Sequence, residues 1–221
     1  MKIDVATTVF VFDLDDTLYK EADYHLSGVR AVLRKIERLY KKDISSRVTQ
    51  WIDDGATDLW GEICEELNLP ESVKQSLLWE YRLHQPEITL DPAIKCMLDW
   101  LVQRSAGLAI LTDGRAITQR LKLAALGLDN LPAYISEEHG SEKPSPNRFR
   151  AIQYLHPERQ HVYIGDNPAK DFLAANELGW ISIGLRGDER NVHSQEVLGL
   201  DPRCLPKIWI NSLSELHNLF Q

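Results

Sequence analysis

The sequence predicts an α/β fold in which a parallel, doubly wound sheet carries an inserted block of helices. Three observations predict it. Short apolar runs that end on Gly, Asp or Thr recur along the chain. Helical patterns lie between most of these runs, and alternation of the two indicates a parallel sheet. Residues 20–88, by contrast, are rich in helix formers and contain no strand-like run.

The first run, residues 9–12, is apolar throughout, as suits a central strand buried on both faces. It ends on Asp13-Leu14-Asp15-Asp16-Thr17. Residues 107–111 form a second buried-strand pattern and lead into Thr112-Asp113-Gly114-Arg115. The short apolar element 133–135 is followed by a polar stretch, 136–142, read as a loop, and then by Lys143-Pro144. Residues 161–164 run into Gly165-Asp166-Asn167-Pro168-Ala169-Lys170-Asp171, and further strands are expected at 180–185 and 207–210. Helices are expected at 91–103, 116–126, 146–154, 170–178 and 212–220, the last with Ser212 and Glu215 as a capping box. In the inserted block, Val29, Val32, Leu33, Ile36 and Leu39 keep the spacing of an amphipathic helix, and 46–52, 57–67 and 71–81 continue the pattern. A small helical bundle follows from this.

Asp13 and Asp15 leave the C-terminal end of their strand, where open α/β sheets bind ligands. Carboxylates held together repel, so such a pair calls for a cation such as Mg²⁺, which prefers hard oxygen ligands. One carboxylate can then attack an electrophile while its neighbour handles protons.

The stretch Asp13–Thr17 resembles the first motif, DxDx[TV], of the haloacid dehalogenase superfamily, most of whose members are Mg²⁺-dependent phosphatases. Thr112, Lys143-Pro144 and Gly165-Asp166 with Asp171 resemble its second, third and fourth motifs, in that order. Gln119, Lys122, Leu126 and Gly127 sit as in the TxGxxxxQxxKxxxLGL pattern of capped members. The resemblance covers nearly the whole chain apart from the segment between Tyr19 and about Ile88. It implies a Rossmann-like core with helices on both faces, residues 1–19 and 89–221, and a helical cap, residues 20–88, which excludes water and contributes substrate contacts.

The resemblance also implies roles. Asp13 is the nucleophile that becomes an aspartyl phosphate, and Asp15 protonates the leaving oxygen and then activates water. Thr112, the amides of Asp113 and Gly114, and the Lys143 ammonium neutralise the phosphoryl group. Amides of a helix starting near Ala116 would add to this anion site. Mg²⁺ takes Asp13, the backbone carbonyl of Asp15, and Asp166, while Asp171 orients Lys143 or metal-bound waters. As a lysine in a polar loop, Lys143 is expected to matter to chemistry and little to folding. Of the seven histidines, only His139 is expected near the site.

Composition narrows the function further. With 221 residues, 43% of them hydrophobic, the chain can bury one sizeable core and a small accessory unit. A net charge of −8 argues against nucleic acid as a partner. There is no long apolar run and no signal-peptide layout. Cys64, Cys96 and Cys204 have neither disulfide nor zinc spacing, which suits a reducing, cytoplasmic setting. In the inserted block, Trp51, Trp60, Trp79, Tyr24, Tyr40 and Tyr81 could stack on a substrate base or sugar, or pack the bundle core. Asp53, Asp54 and Asp58 could meet sugar hydroxyls or form a solvated loop. The reading is a phosphatase acting on a small phosphorylated metabolite, as monomer or homodimer. Alternatives are a dehalogenase or phosphomutase of the same superfamily, or a non-catalytic binding module. Retention of Asp15, Asp166 and Asp171 favours phosphoryl over halide chemistry.

Overall fold

The structure, a computed structural model, describes residues 2–221. Backbone contacts divide the chain into a sheet unit, up to Ala22 and from Ile88 onward, and a helical unit, Asp23–Glu87.

The sheet unit holds six parallel strands: β1 (Thr8–Phe12), β2 (Gly107–Thr112), β3 (Ala133–Ile135), β4 (Gln160–Gly165), β5 (Ile181–Leu185) and β6 (Ile208–Ile210). Their order is β3-β2-β1-β4-β5-β6. The chain winds outward from β1 through β2 to β3, then returns to β4 and winds the other way. The crevice beyond the carboxyl ends of β1 and β4 is therefore the topological switch point, where doubly wound sheets bind ligands. Register levels these ends. Phe12 stands opposite Ile110 on one side and Ile164 on the other, so Asp13 emerges between the ends of β2 and β4.

Burial explains why β1 is apolar without alternation. Val9 and Val11 pack on one face with Phe149 and Ile152 of α8 (Asn147–Leu155) and Phe172, Ala174 and Ala175 of α9 (Phe172–Glu177). Phe10 points to the other face and meets the edge of Phe220 at 5.5 Å. Phe220 in turn stacks on Trp100 of α5 (Pro92–Arg104). Helix α6 (Ala116–Ala125) ends at a glycine for a backbone reason. Gly127 has φ of +69°, and Leu128 N–H reaches back to Leu123 O while Gly127 N–H reaches Ala124 O. That is the Schellman pattern, in which glycine takes the left-handed position without Cβ strain.

The helical unit contains α2 (Ser45–Asp53), α3 (Leu59–Glu66), α4 (Lys74–Leu83) and most of α1 (Glu21–Tyr40). Val29, Val32, Ile36, Val48, Ile63 and Leu77 form its core. Trp51, Trp60 and Tyr81 pack against that core, and Tyr24 is buried against Tyr81 and His84. These four are accounted for as packing, whereas Trp79 and Tyr40 are exposed. Asp58 caps α3 by accepting from Gly61 N–H at 3.1 Å and pairs with Lys74.

Three local expectations are corrected. The stretch after β3 is not all loop, because residues Ser136–His139 form a helical turn, α7, closed by Gly140. The last segment, Leu213–Leu219, is a 3₁₀ helix. Its capping box does not form: Ser212 bonds Ser214, and Glu215 accepts from Asn211. Residues 71–73 start as a 3₁₀ turn before α4.

Phe149 meets Tyr163 at 5.0 Å and Trp180 at 5.4 Å, edge to face, and is fully buried. Phe149→Ala should cost about 3–5 kcal/mol of unfolding free energy, read as a lower midpoint in urea with little change in slope.

Candidate active site

The site is built at the carboxyl ends of β1, β2 and β4. Asp13 continues the sheet one residue past β1, donating its N–H to Ile164 O at 2.8 Å. That bond fixes the backbone and leaves a buried carboxylate at the strand end. Lys143 Nζ donates to Asp13 Oδ1 at 2.7 Å, to Asp171 Oδ1 at 2.7 Å and to Tyr163 Oη at 3.2 Å. Oxygens of Asp13, Asp166 and Asp171 all lie within 4.8 Å of one another. Asp171 also accepts from Asn167 N–H at 2.8 Å, and Asp166 accepts from Asn191 Nδ2 at 3.1 Å. A side chain at Gly165 could not coexist with this arrangement, since its Cβ would lie 2.5 Å from Asp171 Oδ2.

Asp15 sits in a separate hydrogen-bond set. Its Oδ1 accepts from Lys122 at 2.8 Å and Tyr19 Oη at 2.5 Å, and its Oδ2 accepts from Gln119 at 2.9 Å. Asp16 adopts φ of +53° and accepts from Glu21 N–H and Val192 N–H, tying the start of α1 to the loop after β5. At the end of β2, the Thr112 hydroxyl lies 2.6 Å from Gln119 Nε2. Fully buried Arg148 donates to Thr112 O at 2.7 Å, to Tyr134 O at 3.0 Å and to the Asp113 carboxylate. The Asp113 carboxylate takes the Lys143 N–H as well. Of these residues, Asp13, Asp15, Thr112, Asp113, Lys143, Asp166, Asn167 and Asp171 line a cavity of about 250 Å³ with Glu21, Gly114, Glu142, Lys170 and His193.

A family model described as haloacid dehalogenase-like hydrolase matches residues 10–185 of this chain. The chain belongs to this family. It is 28% identical to glyceraldehyde 3-phosphate phosphatase of Methanocaldococcus jannaschii, over 93% of each chain. It is 32% identical to phosphoserine phosphatase of Thermus thermophilus over 136 residues, 58% of this chain and 49% of that one. Among solved structures it resembles the HAD-hydrolase YfnB of Bacillus subtilis, described as bound to magnesium, with a TM-score of 0.64, 21% identity and coverage of 96% and 98%.

In this haloacid dehalogenase-like hydrolase the sequence-derived residues divide by what they touch. Asp13, Asp15, Thr112, Asp113, Gly114, Lys143, Asp166 and Asp171 all line the one cavity. The Asp113 side chain, however, faces Arg148 and the Lys143 backbone, so its carboxylate fixes the loop. The N-terminal amide of α6 is already used: Ala116 N–H donates to Glu137 at 2.7 Å, and Gly114 N–H donates to Ser136. The expected amide cradle is to that extent filled by the protein itself. His139 stacks on Tyr134 and does not line the cavity, whereas His193 does. Sequence reasoning missed Tyr19, Tyr163, Arg148, Asn191 and His193. Only Gln119 and Lys122 had a signal, the polar i, i+3 pair of the flanking pattern.

Electrostatics separates the carboxylates. Burial, and then the charges of Asp171 and Asp166, push Asp13 well above the usual carboxylate range against the pull of Lys143. Burial and the neighbours Asp171 and Asp16 push Asp166 to about 7. Burial also acts on Asp15, but Lys122, Tyr19 and Gln119 outweigh it and hold that carboxyl below its ordinary value. The Lys143 ammonium is raised well above its ordinary value, because Asp13 and Asp171 outweigh its burial. An all-oxygen cluster with this excess of negative charge suits a hard divalent cation. Asp13 and Asp166 are the members that fit it, since Asp171 is committed to Lys143 and Asn167 N–H.

Burial corrects the expected neutrality of Lys143 to folding. Its side chain is 5% exposed and holds carboxylates that would otherwise face each other uncompensated. Lys143→Met should therefore abolish turnover and also cost about 3–5 kcal/mol in metal-free protein, measured by chemical denaturation in EDTA.

Proposed function

We propose that this chain is a Mg²⁺-dependent phosphatase that hydrolyses a small phosphomonoester through an aspartyl phosphate on Asp13. The observation that carries the reading is the pairing of two differently treated carboxylates in one cavity. Asp13 lies against the Lys143 ammonium and the Asp166 cluster, and Asp15 lies in its own hydrogen-bond set. The names of the two curated relatives, both phosphatases of three-carbon compounds, support it. So does the cavity of about 250 Å³.

The proposed chemistry runs in two half-reactions. An Asp13 oxygen attacks phosphorus, and the bond to the leaving oxygen breaks. Asp15, held ionised at rest, relays the proton of the phosphomonoester monoanion to that oxygen. In the second half, Asp15 takes a proton from water as its oxygen attacks phosphorus. The bond to Asp13 breaks, returning its carboxylate, and the proton on Asp15 passes to the departing inorganic phosphate, which leaves Asp15 ionised again. Lys143 and the Thr112 hydroxyl neutralise and orient the phosphoryl oxygens. A Mg²⁺ ion held by Asp13, Asp166 and the Asp15 carbonyl would add positive charge at those oxygens. Asp171 keeps Lys143 in place. The helical unit, inserted directly after the first motif, is assigned the part of a cap. Among the described residues no helix is long and apolar enough to cross a membrane, and a cytoplasmic enzyme of phosphorylated metabolites fits the composition.

Metal and proton compete for the same oxygens. Asp166 goes from an ordinary 3.8 to about 7 on folding. Its contribution to metal-free stability is thus full below about pH 4 and lost as the pH rises through about 7. A bound cation replaces that proton. The gain in melting temperature on adding Mg²⁺ to EDTA-treated protein should therefore be small near pH 5 and larger near pH 8, and Asp166→Asn should remove most of it. A gain independent of pH would mean that the cation binds elsewhere. EDTA should abolish turnover and Mg²⁺ restore it.

An activated aryl phosphate needs little leaving-group protonation, so its first half-reaction should survive loss of Asp15 better than an alkyl phosphate's. Asp15→Asn should give a burst of aryl alcohol followed by a slow steady state, with phosphate retained on Asp13 in rapid-quench mass spectrometry. Wild-type turnover of alkyl phosphates by this variant would remove Asp15 from the mechanism.

A further inference from the structure

Asp15 is held by three donors, and the way they are shared is informative. Oδ1 takes both Lys122 Nζ, at 2.8 Å, and Tyr19 Oη, at 2.5 Å. Oδ2 takes Gln119 Nε2 alone, at 2.9 Å. With two donors on Oδ1 and one on Oδ2, the spare lone pair belongs to Oδ2. The same Gln119 nitrogen lies 2.6 Å from Thr112 Oγ1 and 3.0 Å from Asp113 O. When Thr112 accepts from Gln119, its own hydroxyl proton is left to donate. The alternative acceptor, Asp113 O at 3.5 Å, is too distant to hold it.

Gln119 and Lys122 stand one turn apart on α6, on the same face. They are 1% and 3% exposed, an unusual burial for such side chains. Gly114 leaves room for this arrangement, since its Cβ would lie 3.1 Å from Gln119 Cδ.

We propose that Gln119 and Lys122, with Tyr19, are positioning residues that present Asp15 Oδ2 as the proton-carrying oxygen, and that Gln119 also turns the Thr112 hydroxyl proton toward the phosphoryl group. One side chain thereby sets the proton shuttle and a phosphate donor together. The inference rests on the phosphatase reading, and it adds residues that touch neither substrate nor metal.

A merely structural ion pair would lower turnover of every ester alike. A positioning role separates them by leaving group, because alkyl esters depend on Asp15 in both half-reactions and aryl esters mainly in the second. The test uses full-length protein with Mg²⁺, p-nitrophenyl phosphate, and the three-carbon alkyl phosphate that the wild type hydrolyses fastest. Gln119→Leu and Lys122→Met should each lower kcat for the alkyl ester at least about tenfold more than single-turnover release of the aryl alcohol. Gln119→Leu should in addition raise KM for both, because Thr112 loses its orientation. Lys122→Arg should recover part of the alkyl rate. Tyr19→Phe, which deletes one hydroxyl, should shift the ratio the same way and serves if the other variants fail to fold by circular dichroism. Ratios equal to wild type in the folded variants overturn the proposal while leaving the phosphatase reading intact. A wild-type protein that hydrolyses neither ester overturns that reading, and the positioning proposal with it.

Discussion

Around a single ammonium, that of Lys143, the fold gathers carboxylates that would otherwise drive one another apart. Asp13 and Asp171 each lie 2.7 Å from it, and Asp166 joins them within 4.8 Å. Burial makes this repulsion stronger, because the charges are only weakly screened. Much of the surrounding structure follows from containing it. Gly165 has no side chain because Asp171 occupies that space. Tyr163 turns its hydroxyl to both Lys143 and Asp171. Arg148 pins the Thr112 carbonyl and the Asp113 carboxylate, and Asp113 in turn holds the Lys143 backbone. The parallel register of β1 with β2 and β4 brings these ends level and makes the gathering possible.

Asp13 and Asp15 show how neighbours in sequence acquire different chemistry. They are two residues apart, Asp13 is buried and Asp15 half-buried, and their acidities move in opposite directions. Asp13 shares its one cation with Asp171 inside a cluster of like charge, whereas Asp15 receives Lys122 together with two neutral donors. In the proposed mechanism, environment, not residue type, divides the labour of nucleophile and proton carrier.

The architecture and the chemistry rest on different grounds. Likeness to YfnB at 21% identity speaks to the fold. A fold of this kind hosts several reactions, so function has to be argued from the site. Asp15, the oxygen-only cluster and Lys143 as its counter-ion are what support the proposed phosphoryl chemistry.

The sequence alone revealed the strands, because β1, β2 and β4 are buried on both faces and must be apolar throughout, and it revealed the motifs, because chemistry at strand ends tolerates few residue types. Asp13, Thr112, Lys143 and Asp166 were therefore legible at their positions. What the sequence could not show was who partners whom. The burial of Lys143, the capture of Asp113 by Arg148 over 35 positions of chain, and the tie of Asp166 to Asn191 are long-range contacts with no local periodicity. The filling of the α6 N-terminus by Glu137, and the presence of His193 instead of His139 in the cavity, are of the same kind. Even the end of the chain, where Ser212 and Glu215 read as a cap, took other partners. Local patterns report which faces must be dry. Only the folded sheet decides which polar groups meet, since each must find its partner from whatever the fold brings within reach.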